Sequence, residues 1–215
     1  MGRGLYYDPE ELLGGAVVKI VIVAHHTRYW EPLAEAVDAD EVFVDWGWKG
    51  ALWNHRQALS YASRTRERVW IMEDDAIPDI DFRARAQEWG ERFPRELISG
   101  YLGRERPVSF QREIEYGIQD AMQRRQDFIT LRTLVHGVCY SIPPNKVNKM
   151  VSDLRPSTGR AADFAIGAAW KRPVLYTIPS LVDHRDDEPV EKHPDGETRT
   201  SGRTAWVPPK LPATW

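Results

Sequence analysis

Three consecutive carboxylates, Glu73-Asp74-Asp75, follow directly on the apolar run Arg68-Val69-Trp70-Ile71-Met72. Acids crowded at the end of a buried strand repel one another and resist desolvation unless a cation or basic groups compensate. Hard oxygen ligands of this kind suit Mg²⁺ or Mn²⁺ holding a diphosphate; the bland alternative is a solvated turn that ends a strand. Side chains alternate along a strand, so Glu73 and Asp75 share a side and Asp74 takes the other. Asp75 is the first expected metal ligand, Glu73 assists directly or through water, and Asp74 turns toward a ribose or a base. Late in the chain, Pro179-Ser180-Leu181-Val182-Asp183-His184-Arg185 supplies an imidazole that would complete such a shell. Neutral imidazole is a better ligand for Mn²⁺ than for Mg²⁺, which tilts the choice toward manganese. A histidine taken alone is more often structural, and His25, His26 and His136 lack the spacing of a metalloprotease helix.

Three further segments carry weaker signals. Gly50-Ala51-Leu52-Trp53-Asn54-His55-Arg56 puts small residues at the start of a helix where a diphosphate could approach, although taken alone the motif is better explained by an ordinary glycine-opened helix with Asn54 as a local cap or hydrogen-bonding residue. This is no Walker A loop, and the chain contains no Gly-x-Gly-x-x-Gly, so kinase and dinucleotide-dehydrogenase readings lack a motif. Asp163 falls in the first turn of a helix over 160–170, where the dipole keeps a carboxylate ionised, as a general base must be, and a favourable first-turn acid without catalysis explains it equally. Trp46 and Trp48 flank Gly47 after a strand and offer flat faces to a sugar or a base, whereas most of the nine tryptophans suit packing.

The elements that must position these groups alternate. Strands are predicted over 17–24, 41–45, 68–72, 97–102, 137–142 and 174–178, and helices over 29–37 (Thr27 a possible cap), 52–63, 82–93, 114–125, 145–154 and 160–170. Strand and helix in alternation imply an α/β fold with a mostly parallel central sheet and helices on both faces, in which ligands sit at the carboxyl ends of the strands. His25 to Arg28, Asp45 and the acidic triplet all arrive there. With 215 residues the chain is one domain or one domain with an appendage: residues 1–187 as the domain, divided near 104–107 into a nucleotide half and an acceptor half, and 188–215 as a proline-punctuated tail or lid. A net charge of −3 excludes a bulk polycation, so any DNA contact is local. A single cysteine, Cys139, excludes an intramolecular disulfide framework and fits a reducing cytoplasm. The longest apolar run, 16–24, is too short to span a bilayer, and no signal peptide is read before it.

In this order the pieces resemble a GT-A glycosyltransferase, and most of all glycosyltransferase family 25 of the lipopolysaccharide type. Trp70-Ile71-Met72-Glu73-Asp74-Asp75-Ala76 matches that family's hydrophobic-Glu-Asp-Asp-Ala element, followed by His136-Gly137-Val138-Cys139-Tyr140-Ser141-Ile142 and Asp163. Gly50 to His55, Tyr101-Leu102-Gly103, Pro179 to His184, His193-Pro194-Asp195-Gly196 and Arg203-Thr204-Ala205-Trp206 also look like small glycosyltransferase-like proteins of actinobacterial phages. The resemblance implies transfer of a sugar from a nucleotide donor, typically a UDP-sugar, with Mn²⁺ bridging the diphosphate and Asp75. It places His25, Thr27, Arg28 and Asp45 at the nucleotide edge, Asn54 near the donor phosphates, His184 at a late metal position and Asp163 where inverting enzymes often keep the base. The chain is shorter than usual for the family and has Glu-Asp-Asp in place of Asp-x-Asp. A phage enzyme of this kind would have a hydroxymethylated DNA base, a virion protein or a host glycan as acceptor. Two other readings use the same residues: a nucleotide-sugar-binding protein without turnover, and a metal-dependent nucleotide-sugar hydrolase.

Overall fold

The first strand fixes the core. In β1 (Lys19–His25) Ile20, Ile22 and Ala24 face one side and Val21 and Val23 the other, all buried, as a strand covered on both faces requires. The computed structural model that shows this describes residues 18–154, 161–185, 187, 190 and 203–211. β1 lies between two parallel partners, β2 (Glu41–Asp45) and β3 (Val69–Glu73), in a register that sets His25 opposite Asp45 and Val23 opposite Glu73. Three carboxyl ends, and the polar residues on them, therefore meet at one edge.

Four more strands, β5 (Ile98–Ser99), β6 (Phe128–Leu131), β7 (Cys139–Ile142) and β8 (Val174–Thr177), extend the sheet to seven in the order β2-β1-β3-β7-β5-β8-β6. Five strands run one way; β6 and β7 oppose them, so the fold is α/β with a mostly parallel but mixed sheet. The expected boundary at 104–107 does not interrupt this sheet, because β7 joins β3 to β5. Helices cover both faces. Leu33 of α1 (Glu31–Ala36) and Phe82, Ala86 and Trp89 of α3 (Phe82–Arg92) pack on one side. On the other lie Leu59 of α2 (Ala51–Ala62), Ile114 of α4 (Val108–Arg124), Val147 of α5 (Pro144–Asp153) and Ile166 of α6 (Ala162–Trp170). Among the described residues no helix is long and apolar enough to cross a membrane.

A separate two-stranded ribbon pairs β4 (Ala76–Pro78) with β9 (Val182–His184), placing Ala76 opposite His184. The segment 203–211 is laced to the body: Trp206 N–H donates to the Leu102 carbonyl, Ala205 N–H to Asp183 Oδ1 and Lys210 N–H to Asp79 Oδ2. This part of the expected tail is packed, and Ala205 is buried. Positions 193–196, the beginning of the helix expected from 160 and most of 186–202 lie outside the described residues.

Some expectations need correction. Thr27 caps no helix: α1 starts at Glu31 with Trp30 as its N-cap, and the Thr27 hydroxyl meets His25 Nδ1 at 2.8 Å. The helix expected over 114–125 is the longest of the described ones, 17 residues, because Phe110 joins Ile114, Ile118 and Ala121 on its buried stripe. The strand expected over 97–102 pairs only at Ile98–Ser99, after which Ser99 Oγ donates to the Tyr101 carbonyl and the chain turns out of the ladder.

Candidate functional site

A cavity of about 210 Å³ opens at the carboxyl edge of β1, β2 and β3. His25, Arg28, Asp45, Asn54, Glu73, Asp74 and Asp75, seven of the residues expected from sequence, line it. Thr27 is hydrogen-bonded to His25, and His184 Nε2 lies 3.3 Å from Asp75 Oδ2. Asp163 does not line the cavity; its Oδ1 accepts the N–H of Phe164, within the first turn of α6.

Each side chain is held by particular partners. Asp45 Oδ1 accepts from Gly47 N–H at 3.0 Å and Oδ2 from Gly50 N–H at 2.8 Å. Burial pushes its carboxyl up, but the N–H groups of Gly50, Gly47 and Lys49 outweigh that and hold it below the usual range. Asp45 therefore shapes the turn that carries Trp48 at φ 53° and Gly50 at φ 93°. Trp46 and Trp48 are exposed on that turn, packed edge or face against His26, outside the cavity's lining. Asn54 donates through Nδ2 to the carbonyls of Ala24 and Phe43, each at 2.9 Å, and so ties β1 to β2. Both amide protons are committed to the sheet, leaving no donor for a phosphate; Oδ1 is buried with no partner among the described residues. The expected phosphate contact at Asn54 thus becomes a strand clasp.

The three acids have separate surroundings. Glu73 Oε1 lies 3.0 Å from Nε2 of the buried His55, whose Nδ1 lies 3.0 Å from the Tyr140 hydroxyl. Burial raises the Glu73 carboxyl, but the His55 hydrogen bond and charge more than reverse it, holding Glu73 below its ordinary value. Asp74 Oδ2 accepts the His25 N–H at 2.7 Å, yet burial, with Asp75 and Glu73 beside it, pushes Asp74 up to about 7. Burial likewise raises Asp75, against the pull of His184, whose Nε2 is 3.3 Å from Asp75 Oδ2. Asp75 Oδ1 and His184 Nδ1 are buried without partners among the described residues. Basic groups face this floor: Arg203 lines the cavity, Arg28 pairs with Asp187 at 3.1 Å, and Arg185 donates to the Asp74 carbonyl at 2.8 Å.

The expected metal trio of Asp75, Glu73 and His184 is not assembled, since among the described residues no three His, Cys, Asp or Glu side chains form a metal-holding group. Glu73 is turned onto His55. Asp75 and His184 remain, an acid from the turn that leads into β4 and an imidazole from β9, each with an unsatisfied buried polar atom, and this pair fits a divalent cation whose other ligands come from substrate or water.

His55, Tyr140 and Asp187 carry no signal in the sequence. His55 lies one turn into a helix and Tyr140 mid-strand, where nothing in the local pattern marks a polar contact across 85 residues.

His136 sits close by, with Nε2 2.8 Å from the Arg106 carbonyl oxygen and Nδ1 buried without a partner among the described residues. Desolvation pulls its pKa down to about 4. Unfolded, the ring titrates near ~6.5, so between those values the unfolded state binds the extra proton and stability falls as pH falls. The slope is at most about 1.4 kcal/mol per pH unit, reduced by the ring's partial exposure. Urea denaturation between pH 7 and pH 4.5 is expected to show a steeper acid loss for the wild type than for His136→Gln; equal slopes would remove His136 from the titration.

No protein-family profile and no curated protein matches the chain. Among solved structures, the crystal structure of A197 from STIV is similar over 92% of this chain and 98% of that chain, with a TM-score of 0.49 and 10% identity.

Proposed function

We propose that this chain is a metal-dependent glycosyltransferase of GT-A type that moves a sugar from a nucleotide-sugar, a UDP-sugar on the resemblance, to an acceptor hydroxyl. One observation carries the reading. Pairing of β4 with β9 brings His184 within 3.3 Å of Asp75, which lines the cleft together with Glu73, Asp74, Arg28 and Arg203. Clustered carboxylates beside two guanidinium groups complement a divalent cation bound to a diphosphate.

In this reading Asp75 and His184 hold Mn²⁺ or Mg²⁺. When bound, such an ion neutralises negative charge that develops on the departing diphosphate. Arg28 and Arg203 attract the diphosphate from the rim, His25 and Asp45 shape the nucleotide edge, and Asp74 faces the ribose. Asp163 is the acceptor base on the resemblance alone. Its position outside the cavity's lining favours the second reading, a nucleotide-sugar-binding protein of the same fold without turnover. The acceptor, whether DNA base, protein or glycan, is the open part of the proposal, and the cytoplasm, of the host for a phage protein, is its setting.

Thermal unfolding against a panel of nucleotide sugars, each with and without Mn²⁺, tests the site. Ligand at 100 times its dissociation constant stabilises by about 2.7 kcal/mol, which for a chain of this size is a rise of roughly 5–10 °C. A rise that needs both donor and metal is expected. No rise with any donor in Mn²⁺ would overturn the reading, and donor binding without a transfer product from any acceptor class would favour the second.

A further inference from the structure

Glu73 differs from its two acidic neighbours in being clamped. His55 is 1% exposed and lies on α2, with Nε2 3.0 Å from Glu73 Oε1 and Nδ1 3.0 Å from the Tyr140 hydroxyl. A carboxylate only accepts, so Nε2 carries a proton toward Glu73, while Nδ1 shares a hydrogen bond with the Tyr140 hydroxyl. Tyr140 thereby holds the ring from its other nitrogen. On the other side, a Cβ at Gly137 would stand 2.7 Å from Glu73 Oε1, closer than any side chain tolerates, so the carboxylate occupies the space that this glycine leaves. The backbone is fixed as well, Glu73 N–H donating to the Val138 carbonyl at 2.8 Å.

A carboxylate anchored through one oxygen, lining the cavity with its side chain 29% exposed, presents its second oxygen as an acceptor. It repels phosphate and takes O–H donors. Its engagement with His55 also separates it from the Asp75–His184 pair. We propose that Glu73 accepts hydrogen bonds from hydroxyls of the donor's sugar ring, with His55 as its positioning residue and Tyr140 as the contact that holds the ring's other nitrogen. This rests on the nucleotide-sugar reading above.

The test is isothermal titration of the full chain in saturating Mn²⁺ with UDP and, separately, with UDP-glucose, UDP-galactose and UDP-N-acetylglucosamine. Loss of a hydrogen bond to a charged group weakens binding by about tenfold or more. Glu73→Gln and His55→Leu are expected to lose about that much affinity for the preferred UDP-sugar while their UDP affinity holds within about twofold. His55→Gln keeps a donor at the Nε2 position and is expected to restore sugar binding, which a purely structural role for the imidazole would not predict. Gly137→Ala pushes on Glu73 without altering His55, and its loss of sugar affinity with UDP binding intact keeps the test sharp should His55→Leu fail to fold. Equal loss of UDP and UDP-sugar in Glu73→Gln would make Glu73 a metal or diphosphate contact and overturn the inference alone. Unchanged UDP-sugar affinity would overturn it too. A wild type that binds neither UDP nor any UDP-sugar would overturn the underlying reading and the inference with it.

Discussion

Asp75→Asn is expected to reduce metal-dependent sugar transfer by on the order of 10²–10³-fold, the scale seen when a preorganised electrostatic contact to developing charge is removed, and to abolish the Mn²⁺-dependent part of the thermal shift. The fold should survive. Asparagine has the shape of aspartate, and its carbonyl oxygen can still accept from His184 Nε2, now 3.3 Å from Asp75 Oδ2. Without metal the wild-type carboxylate is a liability: burial raises its pKa and Glu73 repels it, with His184, Arg203 and Arg28 offsetting part of that. Removing the charge relieves a buried repulsion, so the metal-free variant should melt no lower than the metal-free wild type. Activity and stability then move independently or in opposite directions, as they do at a site built to receive a ligand. Undiminished transfer would remove Asp75 from the metal site. A lower metal-free melting temperature would assign it a structural role instead.

The sheet from β1 to β3 is legible in the sequence because its signals are long and periodic. Val17 to Ala24 is β-branched and nearly continuous, Glu41 to Asp45 appears as the strand expected, and Val69 to Met72 runs into the acids. These three runs suffice to bring His25, Asp45 and Glu73 to one edge. The ribbon was not legible. Ala76–Pro78 and Val182–His184 are three residues each, too short for any period, and only their pairing reveals why His184 reaches Asp75. β6 was missed for a similar reason, four residues at the sheet's edge with one exposed.

Side-chain roles were less legible than positions. Asn54 lines the cleft, but its amide bonds to Ala24 and Phe43 depend on the separation of β1 and β2, a tertiary quantity. Asp45 likewise turned out to organise the Gly47–Gly50 turn. Glu73 was grouped with Asp75 on the alternation of a strand, and that alternation says nothing of a histidine arriving from a helix. The packing of 203–211 was hidden beneath a polar, proline-rich composition; its anchors Asp79 and Asp183 act through backbone N–H groups, which no side-chain pattern records.

Gly167→Ala is expected to destabilise the protein by about 2 kcal/mol or more, the range of overpacking in a close-packed interior. In a helix interior the exchange would ordinarily help by about 1 kcal/mol; packing reverses the sign. A Cβ at Gly167 would stand 2.2 Å from Thr133 Oγ1 and 2.7 Å from the backbone nitrogen of Leu134. The threonine hydroxyl can rotate away, but the backbone cannot. Tyr176, fully buried, pins that segment by accepting from Val135 N–H at 2.8 Å and donating to the Thr133 carbonyl at 3.0 Å. α6 would have to lift away from residues 133–135, opening the contacts of Ala165, Ile166 and Ala169 with the core. The same segment leads into Gly137, whose position sets the room for Glu73, so the strain should reach the cleft and weaken UDP-sugar binding as well. Gly117→Ala is the matched control, because there the nearest atoms to a Cβ are those of the Ile129 side chain at 3.3–3.5 Å, an approach far less close than at Gly167 and with no backbone atom among them. Urea denaturation of both variants beside the wild type decides the matter. Gly117→Ala should be near neutral, and a Gly167→Ala variant equally stable would mean that the helix and the 133–135 segment are not locked together.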